Sequence, residues 1–283
     1  MTNPASNASQ VEYWNTQAGK TWAELNELLD RQIQPLGEEA IRVLAPVSGE
    51  RILDVGCGCG QTTQQLAHHV GGAGRITGID ISRPMLTAAR SRRGVGPNAR
   101  FLEMDAQLAD IAAEAGESFD AAFSRFGVMF FSDPVAAFAN IRAALRPGGG
   151  LCFVCWRPLA ENPWMRVPLE AARPLLPDLP PPPEPHAPGP FAFADPDRVG
   201  GILRDAGYQS VRHQPFDARI GIGDLDQTLA LTFRVGPLGA ILREHPEYRD
   251  RISGVVQDAM APYAGPEGVL LPAAVWIFSA GNP

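Results

Sequence analysis

The stretch from Arg51 to Asp80, RILDVGCGCGQTTQQLAHHVGGAGRITGID, limits what this chain can fold into more than any other. An apolar run broken by one acid, Ile52-Leu53-Asp54-Val55, ends in glycines at alternate positions, Gly56, Gly58 and Gly60. Leu66, Ala67 and Val70 follow at helical spacing, and a second apolar run, Ile76 to Ile79, ends in Asp80. The pattern predicts strand, tight turn, helix and strand, with an acid closing the second strand. Residues without a Cβ let the turn adopt conformations others resist and let a ligand lie against its backbone. A carboxylate at the end of the second strand can accept hydrogen bonds from two ribose hydroxyls, as adenosine-containing cofactors require.

Two details narrow the cofactor. The glycine spacing is G-x-G-x-G, not the G-x-G-x-x-G that brings a pyrophosphate onto a helix N-terminus. Asp54 sits just ahead of the first glycine, where phosphates gain nothing from a negative charge but an ammonium and a sulfonium would. Asp54 through Gly60 closely resembles the first motif of class I S-adenosylmethionine-dependent methyltransferases. The resemblance continues through Asp80-Ile81-Ser82, Met85-Leu86 and Ala88-Ala89, then Asp105-Ala106. It extends to Phe119-Asp120 through Phe123 and to Leu145-Arg146-Pro147-Gly148-Gly149-Gly150, covering roughly residues 45–157.

The resemblance implies a Rossmann-like α/β fold: a seven-stranded, mostly parallel sheet with an antiparallel last strand and helices on both faces. It implies S-adenosyl-L-methionine as cofactor and S-adenosyl-L-homocysteine as product. It assigns the methionyl moiety to the turn (Asp54, Gly56, Cys57, Gly58, Gly60), the ribose to Asp80, and the adenine to Ile81, Met85, Asp105 and Ala106. Arg125, at the end of the fourth strand, needs a partner if buried. That partner could be the cofactor carboxylate, an internal acid or an anionic substrate.

Composition bounds the rest. A net charge of -7 and a pI near 5.3 argue against non-specific binding to nucleic acid or an anionic membrane. No apolar span is long enough to cross a bilayer, and the start of the chain has no basic region followed by an apolar core, so a cytoplasmic protein is expected. A monomer or homodimer acting on a small molecule is the expected assembly. Cys152 and Cys155 lie three apart on an apparent strand, pointing to opposite faces, so a C-x-x-C metal or redox site is not expected. No metal is expected elsewhere.

Four segments follow in order. Residues 1–45 read as an N-terminal helical cap carrying Tyr13, Trp14 and Trp22, with a helix introduced by Pro35; residues 46–160 are the cofactor-binding core. Residues 161–206 form a proline-rich lid or substrate insertion, with a helix over Phe191 to Ala206. Residues 207–283 complete the sheet, with a strand over Tyr208 to Gln214 and helices over Asp224 to Leu242 and Pro246 to Met260. Expected substrate-lining residues are Tyr13, Trp14, Trp22, Phe126, Met129, Trp156, Trp164 and Phe233. Tyr13, His186 and His245 are the candidates for a general base. The leading expectation is methyl transfer to a small, partly apolar molecule by in-line displacement. The alternatives are a non-catalytic cofactor-binding protein, or a nucleic-acid or protein methyltransferase.

Overall fold

A computed structural model describes residues 7–176, 184 and 186–283. The chain opens with three helices, α1 (Ala8–Asn15), α2 (Gln17–Glu24) and α3 (Asn26–Leu44). Five parallel strands follow: β1 (Arg51–Val55), β2 (Arg75–Asp80), β3 (Ala99–Glu103), β4 (Phe119–Arg125) and β5 (Leu145–Trp156). Between them lie α4 (Gln61–Val70), α5 (Arg83–Ser91), α6 (Ile111–Ala115) and α7 (Pro134–Ala144). After α8 (Pro163–Ala172) and α9 (Pro196–Asp205) comes the edge strand β6 (Gln209–Ile220). Then follow α10 (Leu225–Thr232), α11 (Gly236–Glu244), α12 (Arg249–Met260), a two-residue ladder of β7 (Ala264–Gly265) with β8 (Gly268–Val269), and β9 (Leu271–Gly281). The main sheet runs β3-β2-β1-β4-β5-β9-β6, with β9 antiparallel to both neighbours, as the motif order implies.

Strand order reverses at β1, which pairs with β2 on one side and β4 on the other. In open α/β sheets ligands bind outside the strand C-termini at such a point. Ile52, Leu53 and Val55 of β1 and Leu151 to Trp156 of β5 are buried, which is what an unbroken apolar run means when helices cover both faces. Cys152 Sγ lies 3.4 Å from the Ala40 carbonyl of α3, while Cys155 Sγ lies 3.6 Å from that of Phe193, so the two thiols face opposite sides. All four cysteines are free and buried, and burial pushes their thiols up in pKa.

Several elements differ from the sequence reading, each for a local reason. No helix starts at Pro35; α3 runs through it. The missing N–H costs about 3 kcal/mol, but Ile33, Leu36, Ala40 and Ile41 are buried on the sheet beside it. Burial of each large side chain returns about 1.5–3 kcal/mol. α9 begins at Pro196 and not at Phe191, because the Asp195 carboxylate accepts from the N–H groups of Asp197 and Arg198. β6 continues through Pro215 to Ile220, which an edge strand tolerates because one side has no ladder to supply. The expected helix over Asp224 to Leu242 is two helices, parted at residues 233–235, with Gly236 (φ 73°) and Pro237 opening the second. β5 begins at Leu145, but its pairing slips so that Phe119 opposes Leu145 and Ala121 opposes Gly150, looping out the glycine turn between. The proline run at 180–183 lies outside the described residues.

Among the described residues no helix is long and apolar enough to cross a membrane. The main apolar core lies on the sheet, and α8, α10, α11 and α12 build a second cluster around Leu238, Ile252 and Val256. A third, small cluster of Leu29, Ile222 and Leu231 joins this helical insertion to the N-terminal helices.

Candidate active site

The turn after β1 is pinned to the end of β2. The N–H groups of Gly56 and Cys57 both donate to the Ile79 carbonyl, at 2.9 and 3.1 Å. The N–H of Gly58 donates to Asp80 Oδ2 at 2.8 Å, and Ser82 N–H donates to Oδ1 at 2.8 Å. Gly58 has φ 54°, and a Cβ there would come within 2.9 Å of Met85 Cε. Gly56 (φ 67°) is required for a second reason: a Cβ on it would meet the Cα of Gly127 at 2.7 Å, where the turn after β4 crosses. Phe126, beside that crossing, holds a left-handed φ of 64°. This costs about 1 kcal/mol or more in a residue with a side chain. Half-buried Asp80 has its pKa raised by burial, with the Ser82 and Gly58 N–H groups opposing the rise.

Asp54 is fully buried beneath the turn. Its Oδ2 accepts from the hydroxyls of Thr62 and Thr63, at 2.7 and 2.6 Å, in the first turn of α4, whose N-cap Gly60 supplies no side chain. The carboxylate thus lies at the positive end of the helix, held by two side-chain hydroxyls of its first turn. Among the described residues, Oδ1 has no hydrogen-bond partner. Burial raises the Asp54 pKa from 3.8 to about 6, against the pull of both threonines and Arg125. A carboxyl whose pKa is higher folded than unfolded stabilises the fold below the unfolded value, and that contribution is lost as pH rises through the folded value. The shift corresponds to roughly 3 kcal/mol lost between about pH 4 and pH 6. Thermal melts from pH 4 to pH 7 should show Asp54→Asn losing less stability over this window than the parent. Equal slopes for the two proteins would exclude the assignment.

Arg125 finds an internal acid. Its Nη2 donates to Asp30 Oδ1 at 3.1 Å and its Nη1 to Gln61 Oε1. Arg92 Nη1 reaches the other oxygen of Asp30 at 2.7 Å, and also contacts the Cys59 carbonyl of the turn at 3.3 Å. Two guanidinium groups therefore share one buried carboxylate beside the glycine turn, and Arg125 also feels the charge of buried Asp54. Desolvation lowers the Arg125 pKa and Asp30 opposes it. Gly37, in the interior of α3, makes room: a Cβ there would sit 2.9 Å from Arg125 Cδ.

The N-terminal helices lie over the strand ends. Ser82 Oγ donates to the Trp14 carbonyl at 2.6 Å, and Asn15 bridges the Ile81 carbonyl and the Arg83 N–H. Asp105 Oδ1 accepts from the N–H of Gln107, and its Oδ2 accepts from the side-chain amide of Asn7 at 2.5 Å. Met104 and Ala106 are buried on either side of Asp105.

Aromatic rings continue from the turn. Phe126 stacks on Trp156 at 4.2 Å and 8°, and Trp156 meets Trp164 at 5.0 Å. Met129 is buried behind them. Trp14 packs edge-on against Tyr13, Trp22 and Phe130. Phe233 lies in the second apolar cluster, under the Arg249 guanidinium. The three candidate bases are not brought together. Tyr13 is exposed and its hydroxyl accepts from Arg243 at 3.2 Å, His186 is exposed, and His245 lies beside Glu247 at the surface. Sequence reasoning missed Asn7, Asp30, Gln61, Thr62, Thr63 and Arg92 as parts of the site. Only Asp30, an acid on the buried face of an amphipathic helix, carried a signal. A cavity of about 770 Å³ lies away from the turn, alongside α4 and the loops that precede β2 and β3.

A family model described as a methyltransferase domain matches residues 52–149. The chain is 36% identical over 122 residues to aklanonic acid methyltransferase from Streptomyces sp. (strain C5), covering 42% of this chain and 54% of that protein. It is 28% identical over 178 residues to demethylmenaquinone methyltransferase from Staphylococcus aureus (strain MRSA252), covering 62% and 66%. The first matched curated relatives are spanned over about half their length. In fold it is similar to a Haemonchus contortus phosphoethanolamine N-methyltransferase solved with S-adenosylhomocysteine. The TM-score is 0.57 at 17% identity, over 96% of this chain and 59% of that one. With the G-x-G-x-G turn pinned to Asp80 at the sheet's reversal point and a methyltransferase domain matched across it, the chain has the Rossmann-like class I methyltransferase fold.

Proposed function

We propose that this protein transfers the activated methyl group of S-adenosylmethionine to a small, partly apolar acceptor. The observation that carries the reading is the Gly58 N–H to Asp80 bond, which fixes the glycine-rich turn against the carboxylate read as the ribose acceptor. The residues fit the cofactor's donors. Each Asp80 oxygen accepts one backbone N–H and retains lone-pair capacity for a ribose hydroxyl. Asp54 Oδ1 is an unpartnered acceptor, and Asp105 Oδ2 already takes an –NH₂ donor of the kind an adenine amine presents.

In this reading Gly56, Cys57, Gly58 and Gly60 border the methionyl moiety, Asp80 holds the ribose, and Ile81, Met85, Asp105 and Ala106 frame the adenine. In the same reading the guanidinium groups of Arg92 and Arg125, held by Asp30 beside the turn, face the carboxylate of the cofactor. Bound S-adenosylmethionine supplies a sulfonium leaving group, so no protein nucleophile or metal is called for. The chain's own part is to align the acceptor and exclude water. Phe126, Trp156 and Trp164 supply a rigid apolar wall, while Trp14 and Trp22 of the cap cover the opening.

Isothermal titration with S-adenosylhomocysteine, with NAD in parallel, tests the reading. One site per chain for the former and none for the latter is expected. NAD binding without S-adenosylhomocysteine binding would replace the reading with an oxidoreductase. S-adenosylhomocysteine binding without methylated product from any phenol, amine or carboxylic acid would leave a cofactor-binding protein.

A further inference from the structure

The helices α1 and α2 are held to the rest of the molecule mainly by polar ties. No residue of α1 is fully buried, and α2 buries only Ala18, Gly19 and Thr21, whereas α3 behind them buries Leu29, Ile33, Leu36, Ala40 and Ile41. An eight-residue helix is marginal on its own, so α1 depends on its contacts. On one side those contacts are with residues around the acids read as ribose and adenine acceptors. Asn7, the N-cap of α1, donates to Asp105 and accepts from Ser132 Oγ at 3.3 Å. The Trp14 carbonyl accepts from Ser82 Oγ, and Asn15 bonds both Ile81 and Arg83. Ser82 is also the residue whose N–H holds Asp80 Oδ1.

On the other side the same two helices reach the helical insertion. Arg243 of α11 donates from Nη2 to the Tyr13 hydroxyl at 3.2 Å and from Nη1 to the Arg234 carbonyl at 3.1 Å. Arg234 in turn pairs with Glu24 at the end of α2. Two arginines, joined to each other where α10 and α11 part, therefore grip the first two helices, one on each. Trp22 adds an apolar contact to the small cluster of Leu29, Ile222 and Leu231. Tyr13, Glu24 and Arg234 are open to water, so the grip is light. Segments with few buried apolar contacts and exposed polar ties are those that open most readily.

Resting on the cofactor reading above, we propose that α1 and α2 form a gate for cofactor exchange, latched to the insertion by the Arg243–Tyr13 and Arg234–Glu24 contacts. Opening the gate breaks the ties on both sides together, so each tie lowers the open fraction by its own free energy. The four latch residues are not among those read as cofactor contacts, so the latch acts on passage and not on the fit of the bound ligand. It holds the free and the bound protein shut alike. Entry and release then slow together, and Kd stays where the pocket sets it.

The test uses the full chain with S-adenosylhomocysteine as the probe, its association and dissociation rates read by stopped-flow tryptophan fluorescence. Tyr13→Phe removes only the hydroxyl that Arg243 reaches, at an exposed position, and Arg243→Met removes its partner. Each is expected to raise both rates about threefold while Kd stays within about twofold of the parent. The double variant should match Arg243→Met alone, because the hydroxyl then has nothing left to hold. Glu24→Gln, at the other contact, should move both rates the same way. Rates unchanged in all of these variants overturn the proposal. So does a rise in dissociation alone with Kd weakening in step, which would make Tyr13 a wall of the pocket. Amide hydrogen exchange without ligand gives a second reading: α1 should exchange faster in Tyr13→Phe and Arg243→Met while α3 keeps the parent rate, and an unchanged α1 overturns the latch. The underlying reading is tested separately by the parent protein. If S-adenosylhomocysteine does not bind it, the cofactor reading falls and the gate with it, whatever α1 does on exchange. If it binds with rates indifferent to the variants, the cofactor reading stands and the gate alone falls.

Discussion

Asp80→Ala should lower the affinity for S-adenosylhomocysteine by about 100-fold, or about 3 kcal/mol. The carboxylate does two jobs at once. Each oxygen holds a backbone N–H at 2.8 Å, one from Gly58 and one from Ser82, so it shapes the turn as well as, in the proposed reading, holding the ribose. Hydrogen bonds to a charged group contribute roughly 1.5–3 kcal/mol each, and the variant loses those to the ribose together with the one that fixes Gly58. Calorimetry on Asp80→Ala and Asp80→Asn separates the jobs. The asparagine keeps the shape and one acceptor oxygen, so its loss should be smaller. Affinity within twofold of the parent in the alanine variant would mean that the nucleoside does not lie at the end of β2.

Asp30→Ala should destabilise the fold by roughly 3–5 kcal/mol. The side chains of Arg92, Asp30 and Arg125 are 19%, 9% and 10% exposed, so neither guanidinium has ready access to water once its shared acid is gone. Gln61 and the Cys59 carbonyl remain as neutral acceptors, which limits the damage but does not cancel charge. A drop on the order of 10 °C in melting temperature is expected. Asp30→Asn, which preserves volume, should fall nearly as far, because the cost is electrostatic. Two variants within 2 °C of the parent would show that water reaches the cluster and relieves it.

The fold and half of the site were legible in the chain for different reasons. Glycines at alternate positions, an acid ending the next apolar run and a Pro-Gly-Gly-Gly before β5 are local signals, and local signals survive in sequence. The arginine cluster is not local. Asp30, Gln61, Arg92 and Arg125 come from α3, α4, the end of α5 and β4, and no spacing rule joins positions so far apart. Arg125 was marked because a buried guanidinium needs a partner, yet its partner lay in a helix read only for its apolar stripe. Pro35 misled in the other direction. A strong local signal for a helix start was overridden by the burial of Ile33, Leu36 and Ile41 around it. The role of Asp54 was half legible. Its position beside the glycines pointed to charge chemistry, while its grip on Thr62 and Thr63 depends on how α4 enters the site.

The contact between Asn7 and Asp105 makes the chain its own competitor. Any ligand amine that approaches Asp105 Oδ2 must share that oxygen with, or displace, an amide tethered to the same molecule, present at an effective concentration no dilution can lower. Measured affinity then understates the complementarity of the pocket, by the fraction of time the arm is seated. If Asp105 takes a ligand amine as proposed, Asn7 sets a threshold: the ligand must be abundant enough to compete with a side chain of the same molecule.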